Sequence, residues 1–150
     1  LDLFISNLRP VVRDAEHLGQ ILAIEPVAKH IVSTPRKARI VLDSIASPNL
    51  QIIFDPVNLL DMRNIDHAEE VFEEAMDILG PDIAVVHLKD FIRKDGQLLA
   101  VGCGQGEMNY RGILKYLKEE KPYIQATLEN TKPENAEECR KFIEREYTLA

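Results

Sequence analysis

The sequence predicts an α/β fold made of four successive strand–helix units around a parallel sheet. Three observations carry this prediction. Four short apolar runs, at residues 21–26, 51–56, 83–90 and 124–130, alternate with amphipathic stretches of helical length. The third run reads Ile-Ala-Val-Val-His-Leu-Lys-Asp, with no polar alternation before His87, as suits a strand covered on both faces. Each run also ends in one side chain able to bind a metal, namely Glu25, Asp55, His87 and Glu129, spaced 30, 32 and 42 residues apart. Parallel α/β folds place their ligands at the carboxyl ends of strands. An open doubly wound sheet usually draws its site from two or three strands at one switch point. Four strand ends aimed at one centre are a barrel property, so the units are expected to form half of an eight-stranded barrel.

In chain order, residues 2–19 read as a helix, with Leu8, Val12, Ala15 and Leu18 three or four apart and Gly19 as the C-terminal stop. Pro10 is expected to kink that helix or to mark its true start. Ser33-Thr34-Pro35 supplies an N-cap and a first-turn proline for a second helix, which runs to about Ile45 with Ala38, Val41, Leu42 and Ile45 on one face. Ser47-Pro48-Asn49 is turn chemistry leading into the second strand. Asp66 is placed to cap a third helix, whose inner stripe is Val71, Phe72, Ala75 and Leu79 and whose glutamates face water. Gly80-Pro81 ends it. Residues 91–109 read as a polar, glycine-rich segment without regular structure, closed by Asn109 as a cap. A helix follows at residues 110–119, Lys121-Pro122 stops it, and Pro133-Glu134-Asn135 opens the last helix, with Ala136, Cys139, Phe142 and Ile143 inward.

At 150 residues the chain is expected to be one domain, large enough for a real core. Its hydrophobic fraction of 45% and charged fraction of 29% are those of a globular protein in water. The net charge of −7 argues against nucleic acid and anionic membrane surfaces as partners. Cys103 and Cys139 lie far apart and neither belongs to a CxxC pair, so no disulfide framework is expected and a reducing cytoplasm fits. No run reaches membrane-spanning length and no signal-peptide pattern opens the chain. The chain begins Leu1-Asp2-Leu3-Phe4 without an initiator methionine, which fits a processed or truncated protein.

Two Glu, one Asp and one His form an oxygen-rich donor set with one nitrogen. Such a set suits one divalent metal ion, Mn²⁺, Mg²⁺ or Co²⁺, with Zn²⁺ also admissible. A cation held this way can chelate two adjacent oxygens of a hydroxy-ketone and polarise the carbonyl. A neighbouring carboxylate can then remove the proton on the adjacent carbon. Glu25 and Glu129, on the first and last strands, are the natural acid/base pair. A single carboxylate at a strand end is more often a cap or a loop ion pair than a ligand, and a lone histidine there is often packed and hydrogen-bonded. Four such residues at the same point of four successive units outweigh that reading. Asn58, three residues after Asp55, Lys89, and Arg93, six after His87, are the candidate substrate-binding residues. For each, an ordinary role stands beside the functional one: shaping a loop, neutralising a carboxylate, or simple solvation. Asp90 is read as a turn cap. His17, His30 and His67 fall away from strand ends and are read as surface residues. Gly102-Cys103-Gly104-Gln105-Gly106 has neither the dinucleotide nor the Walker spacing, so these glycines are read as shaping a turn.

Ile24-Glu25-Pro26, Phe54-Asp55-Pro56-Val57-Asn58, Val86-His87-Leu88-Lys89-Asp90, the glycine-rich stretch through Glu107 and Leu128-Glu129-Asn130 together resemble the second half of the xylose isomerase-like superfamily. The resemblance implies the C-terminal half of a TIM (β/α)8 barrel with four parallel strands. It implies one divalent metal ion on Glu25, Asp55, His87 and Glu129, with Glu25 and Glu129 as the acid/base pair of a sugar isomerase or epimerase. It also implies a substrate contact for Arg93. A dehydratase on the same scaffold, or a non-catalytic sugar-binding fragment, is the alternative. The DNA-repair endonucleases of the superfamily carry a His where this chain has Asn58 and an Asp-x-His that residues 91–106 lack, so a trinuclear zinc site is not expected. The implied partner is a small sugar. A half-barrel would expose two strand edges, so a homo-oligomer or pairing with a missing N-terminal half-barrel is expected.

Overall fold

A computed structural model describes all 150 residues. Five helices and six strands follow one another as α1 (Asp2–His17), β1 (Leu22–Ile24), α2 (Pro35–Ile45), β2 (Leu50–Phe54), α3 (Ala68–Leu79), β3 (Ile83–Leu88), β4 (Asp90–Lys94), β5 (Gln97–Val101), α4 (Arg111–Glu120), β6 (Gln125–Leu128) and α5 (Ala136–Leu149). Strands β1, β2, β3 and β6 form one parallel sheet in that order. The order matches the chain, with no reversal of the kind that makes a doubly wound switch point. The helices agree: α1 packs on α2, α2 on α3, α3 on α4 and α4 on α5, so they form one continuous layer. A sheet whose strands and helices both advance in sequence order is a barrel segment, and four strands are half of one.

The sheet has a covered and an open face. Leu50, Ile52 and Phe54 of β2, and Val86 and Leu88 of β3, are buried in the core shared with the helices. The alternate residues Gln51, Ile53, Val85 and His87 are only partly covered, and Gln125 and Thr127 of β6 are exposed. Register places these alternate residues on one face, since Ile53 pairs with Val85, Val85 with Gln125, and His87 with Thr127. The expectation of strands covered on both faces therefore holds for the helix side only. A half-barrel lacks the opposite strands that would fill its interior.

Local chemistry explains most boundaries. Thr34 caps α2 by accepting a hydrogen bond from the Lys37 N–H at 3.2 Å, with Pro35 in the first turn. Gly19, at φ 63°, ends α1 in the left-handed conformation. Pro10 neither starts nor stops α1, which runs through it. It sits on the exposed face, where water can satisfy the carbonyl left without its N–H partner. Of the stripe Leu8, Val12, Ala15 and Leu18, Val12 is buried and Leu18 is 73% exposed, while Ile5 adds the other buried side chain of α1. Asp66 does not cap α3. It lies in a short 3₁₀ turn, Ile65–His67, that precedes the helix.

The largest departure is at residues 90–101. The segment expected to be irregular is an antiparallel hairpin of β4 and β5, paired from Asp90–Val101 to Lys94–Gln97. Its turn is Asp95-Gly96, both with positive φ (52° and 70°), the pattern of a two-residue type I′ turn.

Candidate metal centre

Each predicted strand-end residue reaches the C-terminal edge of the sheet. Glu25 follows β1, Asp55 follows β2, His87 is the fifth residue of β3, and Glu129 follows β6. The Glu129 backbone N–H donates to the Leu88 carbonyl at 2.9 Å, which continues the β3–β6 pairing up to the site. Glu25, Asp55 and His87 offer ligand atoms that lie within 4.8 Å of one another. His87 Nδ1 is 3.8 Å from Glu25 Oε2, 3.9 Å from Asp55 Oδ2 and 3.0 Å from Glu129 Oε1. Glu129 is outside the compact trio and joins it through His87 and Lys89.

Lys89 sits in the middle of the carboxylates. Its Nζ is 2.6 Å from Asp55 Oδ2 and 2.8 Å from Glu129 Oε2, and its side chain is 6% exposed. The contact to Glu129 is a hydrogen bond, whereas the contact to Asp55 lacks hydrogen-bond geometry. His87 Nδ1 is a buried polar atom without a hydrogen-bond partner, and Asp55 Oδ2 has none beyond its ion pair with Lys89. Such atoms are uncommon in folded proteins and call for an explanation. A divalent ion supplies one. His87 Nδ1 stands 3.0–3.9 Å from the three carboxylates, and one imidazole among carboxylates is a donor set that suits hard or borderline divalent ions. The residues present fit a metal.

The electrostatics follow from burial and from Lys89. Burial is the strongest influence on Asp55 and pushes its carboxyl above the usual range, although the Lys89 ammonium pulls the other way. Burial acts on Glu129 in the same direction, but there Lys89 and His87 outweigh it and the carboxyl lies below its ordinary value. For Lys89 burial opposes the charged form, and the paired carboxylates raise its pKa against that.

The other predicted residues divide. Asn58 belongs to the site: its side-chain amide donates to Glu25 Oε1, and its backbone N–H donates to Asp55 Oδ1 at 3.0 Å. It therefore orients two of the donors. Arg93 is not brought to the cluster. It is on the hairpin, paired with Glu107 Oε2 and Asp66 Oδ1, each at 2.7 Å, because β4 carries it along the strand rather than back over the sheet. Asp90 does more than cap a turn. Its two oxygens accept four backbone N–H groups, from Phe91, Gly104, Gly106 and Met108, at 2.8–3.1 Å. The glycine-rich segment is wrapped around this carboxylate. A Cβ at Gly106 would come within 2.1 Å of the Phe91 carbonyl and 2.4 Å of Asp90 Oδ1. Tyr110 adds a hydrogen bond from its hydroxyl to the Lys89 carbonyl at 2.9 Å. His67 is exposed beside Glu70, as expected of a surface residue. No helix is long and apolar enough to cross a membrane.

Sequence comparison with curated proteins finds no significant match. Among solved structures, the chain is similar to a D-tagatose 3-epimerase-like protein (24% identity, TM-score 0.77), with 97% of this chain matching 53% of that one. It is similar to the IOLI protein with a binding zinc atom (22% identity, TM-score 0.70, 97% of this chain and 54% of that one). It is also similar to a probable 3-DHS dehydratase from Bacillus anthracis (15% identity, TM-score 0.69, 97% of this chain and 54% of that one). The chain thus spans about half the length of these proteins. The family model described as xylose isomerase-like TIM barrel matches residues 1–146. The chain belongs to the xylose isomerase-like TIM-barrel family.

Proposed function

We propose that this chain carries the metal-binding half of a sugar isomerase or epimerase centre, acting by proton abstraction next to a carbonyl through an enediolate. The observation that carries the reading is the clustering of Glu25, Asp55 and His87 at adjacent strand ends, with Glu129 3.0 Å from His87 Nδ1, a buried nitrogen without a hydrogen-bond partner. Family membership and the 3-epimerase-like protein among the similar structures support an enzymatic role of this class. Glu25, Asp55, His87 and Glu129 would hold one divalent ion, Mn²⁺, Mg²⁺, Co²⁺ or Zn²⁺. When bound, that ion polarises the substrate carbonyl and stabilises the negative charge that develops on it.

This chain's own residues supply the rest. Glu129, held in its ionised form by Lys89, is the base that takes the proton from the carbon beside the carbonyl. Glu25, on the far strand of the sheet, returns a proton to the opposite face. Asn58 keeps the Glu25 carboxylate oriented. The substrate is a small sugar, with Asn58 and Lys89 the nearest polar groups to contact it.

The sheet ends in two edges, β1 and β6, and β6 is exposed along Gln125, Ala126 and Thr127. The reading therefore includes closure of the barrel by a second copy or by an N-terminal half-barrel. Light scattering tests this, and a monodisperse monomer with the expected compact radius counts against a second copy.

The function is tested by metal analysis and by exchange of a ketose α-proton with deuterated water. Wild type is expected to bind about one metal per chain and, once the barrel is closed, to catalyse exchange. Glu129→Gln should lower the exchange rate by about 10²–10⁴-fold. Metal binding without exchange in the closed barrel would point to a sugar-binding module, and absence of metal would remove the reading.

A further inference from the structure

We propose that Lys89 is a resident cation of the metal-free centre and sets how tightly a divalent ion is held there. The proposal rests on the metal-centre reading. Lys89 Nζ is 2.6 Å from Asp55 Oδ2, the same oxygen that lies 3.9 Å from His87 Nδ1 on the side where the donors converge. Its second contact, Glu129 Oε2 at 2.8 Å, belongs to the carboxylate whose other oxygen is 3.0 Å from His87 Nδ1. Two of the carboxylates that would hold a divalent ion are therefore already in contact with the ammonium.

Charge explains why a lysine is tolerated there. Glu25, Asp55 and Glu129 crowd three negative groups at one end of the sheet, and mutual repulsion would spread them apart in the absence of a cation. Lys89 cancels one charge and leaves two, the number that a divalent ion neutralises. The side chain cannot swing clear of the centre at low cost. It is 6% exposed, and its backbone is held by Tyr110 on the carbonyl and by the Asp90 anchor in the next residue. A fixed ammonium close to a divalent cation repels it. Lys89 thus holds the carboxylates together and weakens metal binding, which keeps the ion exchangeable.

Zn²⁺ titration of the chelator-treated chain tests this, with calorimetry as the readout. Lys89→Met is expected to bind Zn²⁺ at least about tenfold more tightly than wild type. Its metal-free form should melt at a lower temperature, with Zn²⁺ restoring the loss. Lys89→Arg, which keeps the charge, should stay within a few-fold of wild type. Equal or weaker binding by a Lys89→Met protein with a native circular dichroism spectrum overturns the proposal and leaves the metal centre intact. No binding by either protein removes both. If Lys89→Met does not fold, Lys89→Gln carries the same comparison. In wild type, the ¹⁵N signal of the Lys89 ammonium, assigned with Lys89→Arg, must also move when Zn²⁺ is added. An ammonium signal unmoved by bound Zn²⁺ overturns the proposal.

Discussion

Asp55 and Asp90 are equally hidden, each 1% exposed, and both stand at the C-terminal edge of the sheet, yet they are built for different work. Asp90 accepts four backbone N–H groups and has none of its capacity left over. Asp55 gives one oxygen to the Asn58 N–H and leaves the other beside Lys89 without a hydrogen bond. A buried carboxylate surrounded by donors is a structural anchor, because the surrounding N–H groups stabilise its charge. One left incomplete at a convergence of other donors retains capacity to bind something else. Burial alone does not separate the two, and hydrogen-bond satisfaction does.

The contrast is open to direct test. The largest effect on stability is expected for Asp90→Ala, which leaves four amides unpaired and releases the glycine-rich segment. A loss of about 3 kcal/mol or more in urea denaturation, not recovered by added metal, is the expected result. A loss below about 1 kcal/mol would erase the distinction. For Asp55→Asn the pattern reverses. Metal affinity should fall at least as far as the ~10–100-fold typical of groups that merely orient ligands, while the metal-free chain should lose less stability than Asp90→Ala, because Lys89 keeps Glu129 as a partner at 2.8 Å. A large destabilisation with unchanged Zn²⁺ affinity would make Asp55 an anchor like Asp90.

Asp61 lies between these cases. It is buried to 9% exposure, with Arg63 on its side chain and the Arg63 N–H at 2.8 Å on Oδ1. The Arg63 hydrogen bonds hold its carboxyl below the usual range. A depressed carboxyl pKa contributes stability above the unfolded value, near 3.8, and that contribution disappears as pH falls through the folded value. Arg63→Ala should therefore destabilise the chain only slightly at pH 7, since Arg63 is exposed, and that effect should vanish as pH falls through the folded Asp61 value, below which both proteins have Asp61 protonated. The smallest effect concerns the thiols. Burial pushes Cys103 up to about 11, so it should react with a thiol reagent at pH 8 only on unfolding.

Much of the candidate site is legible along the chain because it obeys a simple rule. Glu25, Asp55, His87 and Glu129 each end an apolar strand, and parallel strands in one sheet bring equivalent ends together. The hairpin was legible too, though it was read as irregular. Asp95-Gly96 between Phe91-Ile92 and Leu98-Leu99 is a strong short-range turn signal, and the glycines that follow it obscured the pattern. Arg93 was read as part of a loop for the same reason. On a loop it would be free to lean inward, but β4 directs it to Glu107 and Asp66. The roles of Lys89 and Asp90 depended on partners 34–40 and up to 18 residues away, at Asp55, Glu129, Gly104, Gly106 and Met108.

By itself, then, the sequence determined the βα repeat, the Thr34 cap of α2, and which side chains stand at the strand ends, because period, capping and strand polarity are local properties of the chain. Tertiary structure alone decided which donors form a compact trio, that Lys89 enters their midst, and which buried aspartate remains incomplete. The first two depend on distances between segments 30 or more residues apart, and the last on how residues up to 18 away wrap around Asp90; register and packing set both, and no local pattern encodes them.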